Sequence, residues 1–132
     1  MPSPEELAAR QLEAYNNGDL EAFCACYAQD VVVELLVGDE EMFRGMTAFR
    51  ARYSERFKHP DLHARLVNRI ACGRVAVDQE EVTGLPGPTQ HVIAIYKVAD
   101  GLIRKVRFES AGLPCRMTQF ATRLQHRMPH RQ

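Results

Sequence analysis

The stretch DVVVELLVG, residues 30–38, decides how this chain is read. Val31-Val32-Val33 loses side-chain freedom in a helix and packs well on a pleated surface, so the run predicts a strand over 31–37. Side chains alternate along a strand. Val31, Val33, Leu35 and Val37 therefore share one face, and Glu34 points to the other. With the apolar face inward, Glu34 is expected to be a surface or interface carboxylate, not an acid in an apolar pocket.

Working outward, two helices precede this strand. Ser3 before Pro4-Glu5-Glu6 is a helix start, with acids favouring the helix dipole. Leu7, Ala8, Leu12 and Tyr15 recur at helical spacing, and Asn16-Asn17-Gly18 stops the helix. Asp19 caps a second helix carrying Leu20, Phe23, Cys24 and Tyr27. After the strand, Gly38-Asp39-Glu40-Glu41 turns the chain, and a third helix starts near Gly45. Phe49, Tyr53 and Phe57 lie four apart on one of its faces. Lys58-His59-Pro60-Asp61 ends it.

The remainder predicts a four-stranded meander over 62–72, 74–83, 90–98 and 102–109. Gly73, the rigid Gly84-Leu85-Pro86-Gly87-Pro88 and the hairpin signal Asp100-Gly101 separate these strands. The third meander strand is apolar on both faces: Val92, Ala94, Tyr96 and Val98 on one, Ile93 and Ile95 on the other. Such a strand needs cover on both sides. Helices supply one cover, and a second subunit is expected to supply the other. The expected fold is α+β, with three helices on one face of a curved antiparallel sheet and a pocket between the layers.

The chain has 132 residues, 45% hydrophobic and 26% charged, which suits one domain with one core. The zero net charge argues against a nucleic-acid binder. No run approaches the roughly 18–20 apolar residues of a membrane span, and MPSPEELAAR lacks the apolar core of a secretory signal. No membrane partner and a cytoplasmic location are expected. Cys24 and Cys26 are two apart on a helix, and Cys72 and Cys115 stand alone, so neither a disulfide framework nor a metal site is expected. The charge is uneven: residues 1–41 hold ten acids against Arg10, while residues 110–132 hold four arginines and no acid. Met117, Phe120, Leu124 and Met128 recur near helical spacing in this basic tail, a C-terminal extension (111–132) to the main domain (1–110) that is expected to cover the pocket mouth, dock on a partner or fray, a terminal helix docked on its own dimer being the plainest reading.

The run NNGDLEAFCACYAQDVVVELLVG, Gly45 opening a helix, and VIAIYKVADGLIRKVRFE together resemble the NTF2-like superfamily, with its SnoaL-like and ketosteroid-isomerase-like branches. The resemblance spans about residues 5–110. It implies a cone-shaped α+β fold with an apolar pocket, a homodimer formed through the outer sheet face, and no cofactor. Laid on the steroid-isomerase branch, the general-base position falls on Leu35, the oxyanion-hole tyrosine on Gln11 and the protonated acid on Ala94. That reaction needs a base and two acidic donors. The resemblance therefore implies the fold without that chemistry.

Parity supplies the remaining candidates. Gln90, Val92, Ala94 and Tyr96 share the pocket face of their strand, as do Val106, Phe108 and Ser110 of the last one. Lys105, Arg107 and Glu109 are left outside. Tyr96 is then a candidate donor, against the alternative of a core tyrosine. Asp78 and Glu80 share a face with Ala76 and Val82. Turned inward, one of them would be a base with a raised pKa. The bulk of Val75 and Val77 favours the opposite facing, with both acids solvated. Asn68 interrupts the apolar face of Leu66 and Ile70, where a buried amide needs a partner. Gln11, Tyr15, Leu35, Tyr53 and Phe57 complete the expected pocket wall. His63 and His91 fall on outer faces. The expected function is a pocket for a small hydrophobic molecule. Any chemistry would be cofactor-free isomerisation, cyclisation or hydrolysis through Tyr96, Asn68 and Asp78 or Glu80. The alternative is a non-catalytic dimerisation or protein-interaction module.

Overall fold

The computed structural model describes residues 1–112, so all but the first two residues of the predicted extension (111–132) lie outside the described residues. The helices start and stop where their caps stand. α1 (Pro4–Asn17) opens on Ser3, whose hydroxyl accepts from the Glu6 amide while the Glu6 carboxylate accepts from the Ser3 amide. It closes on Gly18 at φ 66°, a left-handed conformation that glycine adopts without a Cβ penalty. α2 (Leu20–Cys24) is capped by Asp19, which accepts from the Ala22 amide. β1 (Tyr27–Leu35), a 3-10 turn (Val37–Asp39) and β2 (Glu41–Arg44) follow, then α3 (Met46–Arg56). The meander is β3 (His63–Cys72), β4 (Val75–Thr83), β5 (Gln90–Ala99) and β6 (Leu102–Ala111).

These strands form one six-stranded sheet in the order β2-β1-β6-β5-β4-β3. The last strand returns to lie beside the first and runs parallel to it, so the sheet is mixed where an antiparallel one was expected. All other pairs are antiparallel. Strand β2 was not anticipated: Glu41 and Arg44 hide a four-residue pairing of Val32 with Arg44 and Val33 with Phe43. The strand of the opening stretch stops at Leu35. Val37 stands in the 3-10 turn with 71% of its surface exposed, not on the inner face.

The helices cover one face of this sheet. Val31 and Val33 are fully buried beneath them, with Phe23 stacked on Phe49 at 5.6 Å between ring centres. Asp100 and Gly101, both at positive φ, join β5 to β6 in the two-residue turn that the Asp-Gly pair signals. Gly84 is fixed by contact as well as conformation. A Cβ there would come within 2.1 Å of the Asp61 carbonyl oxygen, so the β4–β5 loop lies directly on the chain leaving α3.

One irregularity repositions the chemistry. The β3–β4 register slips between Leu66 and Asn68, because Leu66 faces Glu80 while Asn68 faces Gln79. Val67 is the extra residue of a β-bulge, and a bulge inverts the parity of everything beyond it. Ala64 remains inside, buried against Val82. After the bulge Arg69 turns inward opposite Asp78, while Ile70 turns outward and is 62% exposed. Asn68, expected inside, is exposed and accepts only from the Arg69 amide.

Candidate active site

A cavity of about 270 Å³ lies between the sheet and the helices. Its floor is the inner row of three neighbouring strands: Glu80 and Val82 of β4, Gln90, Val92, Ala94 and Tyr96 of β5, and Val106, Phe108 and Ser110 of β6. Gln11, Leu12 and Tyr15 of α1 and Tyr53 and Arg56 of α3 form the roof. Phe23 and Tyr27 close the deep end, and Leu85-Pro86 completes the wall.

The inward row of β4 is the one not favoured from the sequence. Ala76, Asp78, Glu80 and Val82 are buried, whereas Val75, Val77 and Gln79 are only half-buried on the outer face. Asp78 is fully buried and does not line the cavity. Its two oxygens accept from Arg69 Nε at 2.6 Å and a terminal Arg69 nitrogen at 2.9 Å, a bidentate pair that satisfies its charge. Among the described residues Glu80, two residues on, has no such cation, and its Oε2 is buried without a hydrogen-bond partner. Burial, then the neighbouring Asp78 carboxylate, push the Glu80 carboxyl up to about 7, against a smaller opposing pull from Arg69. Glu80 is thus poised to gain and lose a proton near neutrality.

The second polar element crosses from the sheet to α1. The Tyr27 hydroxyl donates to Gln11 Oε1 at 2.8 Å. Gln11 Nε2 donates to the Ala8 carbonyl at 3.0 Å and to the Tyr96 hydroxyl at 3.1 Å. Tyr96 therefore accepts from the network, and its own proton has no acceptor among the described residues. Burial raises the pKa of Tyr27 and Tyr96 well above the ordinary tyrosine value, so both stay protonated at neutral pH. At the roof, an Arg56 guanidinium nitrogen donates to the Tyr15 hydroxyl at 3.0 Å.

Of the residues expected at the site, Gln11, Tyr15, Tyr53, Glu80, Val92, Ala94, Tyr96 and Phe108 line this cavity. Four do not. Leu35 is half-buried on β1 beyond the cavity wall. Phe57 packs behind it, edge-on to Tyr15 at 5.4 Å. Asp78 sits beneath Glu80, and Asn68 was carried outside by the bulge. Arg69 and Arg56 were not anticipated. The first was readable from the hairpin register, since pairing Cys72 with Val75 across the turn sets Arg69 opposite Asp78. The second follows Tyr53 by three residues and so shares its helix face. Among the described residues no cluster of His, Cys, Asp and Glu is arranged to hold a metal ion. No described helix is long and apolar enough to cross a membrane.

The family model described as a SnoaL-like domain matches residues 8–106. No curated protein sequence matches the chain. Solved structures share the fold at low identity. An uncharacterised cystatin-fold protein from Novosphingobium aromaticivorans superposes with a TM-score of 0.76 at 22% identity, over 83% of this chain and 99% of that one. A Kribbella flavida protein provisionally named a ketosteroid isomerase gives 0.70 at 23% identity, over 85% and 80%. A Sinorhizobium meliloti protein provisionally named a polyketide cyclase gives 0.67 at 21% identity, over 83% and 95%.

Proposed function

The chain belongs to the SnoaL-like domain family, and from that premise we propose that its cavity binds a small, largely apolar carbonyl compound and moves a proton on it without a cofactor. One observation carries this reading: a buried carboxyl, Glu80, titrating near neutrality in the wall of a cavity that also holds Tyr96, a hydroxyl with an uncommitted proton. Glu80 in its ionised form removes a proton from the carbon next to the carbonyl. Tyr96, polarised by Gln11, donates a hydrogen bond to the oxygen as enolate charge develops there. Return of the proton to another carbon completes an isomerisation. Attack of the enolate carbon on a second carbonyl, with the proton delivered to the new alkoxide, completes a cyclisation. The steroid-isomerase arrangement itself is not reproduced, since Leu35 and Ala94 stand where that branch carries acids. The carboxyl of this chain stands instead on β4.

The test is deuterium exchange. Incubation of 2-tetralone in D2O with the protein, followed by NMR, is expected to show catalysed loss of the protons next to the carbonyl. Glu80→Gln is expected to lower that rate by roughly 100-fold or more. Tight binding with no exchange above the Glu80→Gln level would overturn the catalytic reading in favour of a binding pocket. A homodimer through the outer sheet face is proposed with it, supported by the exposed Ile70 and Val67 on β3. Sedimentation of the wild type as a dimer and of Ile70→Lys as a monomer would bear it out, and a monomeric wild type would overturn it.

A further inference from the structure

We infer that the roof of the cavity is a carboxylate-binding subsite built from Arg56 and Tyr15, so that the ligand is an acid with an apolar body. This rests on the reading of the cavity as a small-molecule site. Guanidinium groups withdrawn from water are normally paired. The other half-buried arginines of the described residues obey this rule. Arg50 meets Glu21, Arg69 meets Asp78, Arg104 meets Asp30, and Arg107 meets Glu34. Arg56 is half-buried too, yet no carboxylate of the described residues lies within ion-pair distance of it. Its neighbour Glu55 is committed to Lys58. Residues 113–132 contain neither Asp nor Glu, so no side chain of that segment supplies the missing anion.

Arg56 spends one N–H on the Tyr15 hydroxyl, which fixes the guanidinium in the cavity wall and leaves the tyrosine proton free to donate. Arginine N–H groups and a phenolic O–H then converge from one side, the donor arrangement that suits a planar carboxylate. Beside the polar groups of Gln11, Gln90 and Ser110, Leu12, Tyr53, Val92 and Phe108 offer apolar surface to an aromatic or alicyclic body. The floor holds the Glu80 carboxyl, where a second anionic group would be repelled. One anionic end and one uncharged end are thus specified. A volume of about 270 Å³, at the small end of ligand pockets, restricts the body to one or two rings.

The experiment compares matched pairs of acids and their neutral amides: benzoate, 3-phenylpropionate, 1-naphthoate and 2-naphthylacetate against the corresponding amides, each titrated calorimetrically into the full chain. At least one acid is expected to bind roughly tenfold or more tighter than its amide, the margin of a charge-assisted hydrogen bond over a neutral one. In Arg56→Met, which keeps the apolar stem, that preference should fall to about onefold while amide binding persists. Arg56→Lys should retain part of it. Equal binding of acid and amide by the wild type would overturn the subsite and leave the small-molecule reading standing. This arm needs no variant to fold. Binding by no member of any pair would overturn both.

Discussion

Glu34 stands in an apolar run, VVVELLV, and Glu80 in a polar one, DQEE. Their environments are the reverse of their neighbourhoods. Glu34 lies on the outer sheet face with Lys105 at 3.5 Å and Arg107 at 3.2 Å, two cations from the adjoining strand β6. Glu80 lies inside, in a cavity wall, with one oxygen lacking a partner among the described residues. What separates them is strand parity and the position of charge, not local composition. A strand side chain belongs to the face it points to. The carboxylate pushed toward neutrality is the one whose neighbouring cation is already taken. Arg69 is committed to Asp78, so it steadies the pair without neutralising Glu80.

The comparison breaks most visibly at Arg69. Arg69→Met leaves the fully buried Asp78 without its cation and should cost about 3–5 kcal/mol in urea unfolding at pH 7. A loss below about 1 kcal/mol would mean that the Asp78 pair is no more buried than the outer ones. Next in size is Glu80→Gln. The folded-state pKa of Glu80, about 7, lies above the ordinary carboxyl value of 4.5, so the folded state holds the proton more tightly. Stability from this group is fully present below about pH 4.5 and is lost as pH rises through 7. The variant should therefore be more stable than the wild type at pH 8, by up to about 3 kcal/mol, with the difference shrinking toward pH 4.5. No pH-dependent gap between the two unfolding curves would remove the distinction between Glu80 and an ordinary carboxylate.

Tyr96→Phe should cost about 1 kcal/mol, because Gln11 Nε2 loses one of its two acceptors. The same change should slow deuterium exchange more than it weakens binding, since in the proposed reaction the hydroxyl acts as enolate charge develops. An equal effect on both would reduce Tyr96 to a binding contact. The smallest effect belongs to Glu34→Gln, about 1 kcal/mol and partly diminished in 1 M NaCl, because two half-buried cations share this carboxylate on the outer face. A larger, salt-independent cost would show the outer face to be covered.

Much of the fold was legible. Ser3, Gly18 and Asp19 mark helix ends because each satisfies a backbone group or conformation that a helix end requires, and Asp100-Gly101 marks its hairpin for the same kind of reason. The side-chain rows of β5 and β6 followed from alternation alone. The facing of β4 did not, because Val75 and Val77 carry more bulk than Ala76. Bulk misleads here: the inner row packs around a cavity and a buried ion pair, while the outer row is itself half-covered. The bulge at Val67 carries no local signal, since neither Gly nor Pro stands in RLVNRI, and it alone exchanges Asn68 for Arg69 on the inner face. β2 was too short and too charged to show a period.

The most direct test of the central claim is a pH titration of the Glu80 side-chain carboxyl carbon by NMR, with the signal assigned by its loss in Glu80→Gln. Titration with a midpoint near 7 is the predicted result and would place a proton-exchanging carboxyl in the cavity at neutral pH. A midpoint near 4.5 would contradict the account, for Glu80 would then be a solvated carboxylate and the cavity would contain no base tuned to neutral pH.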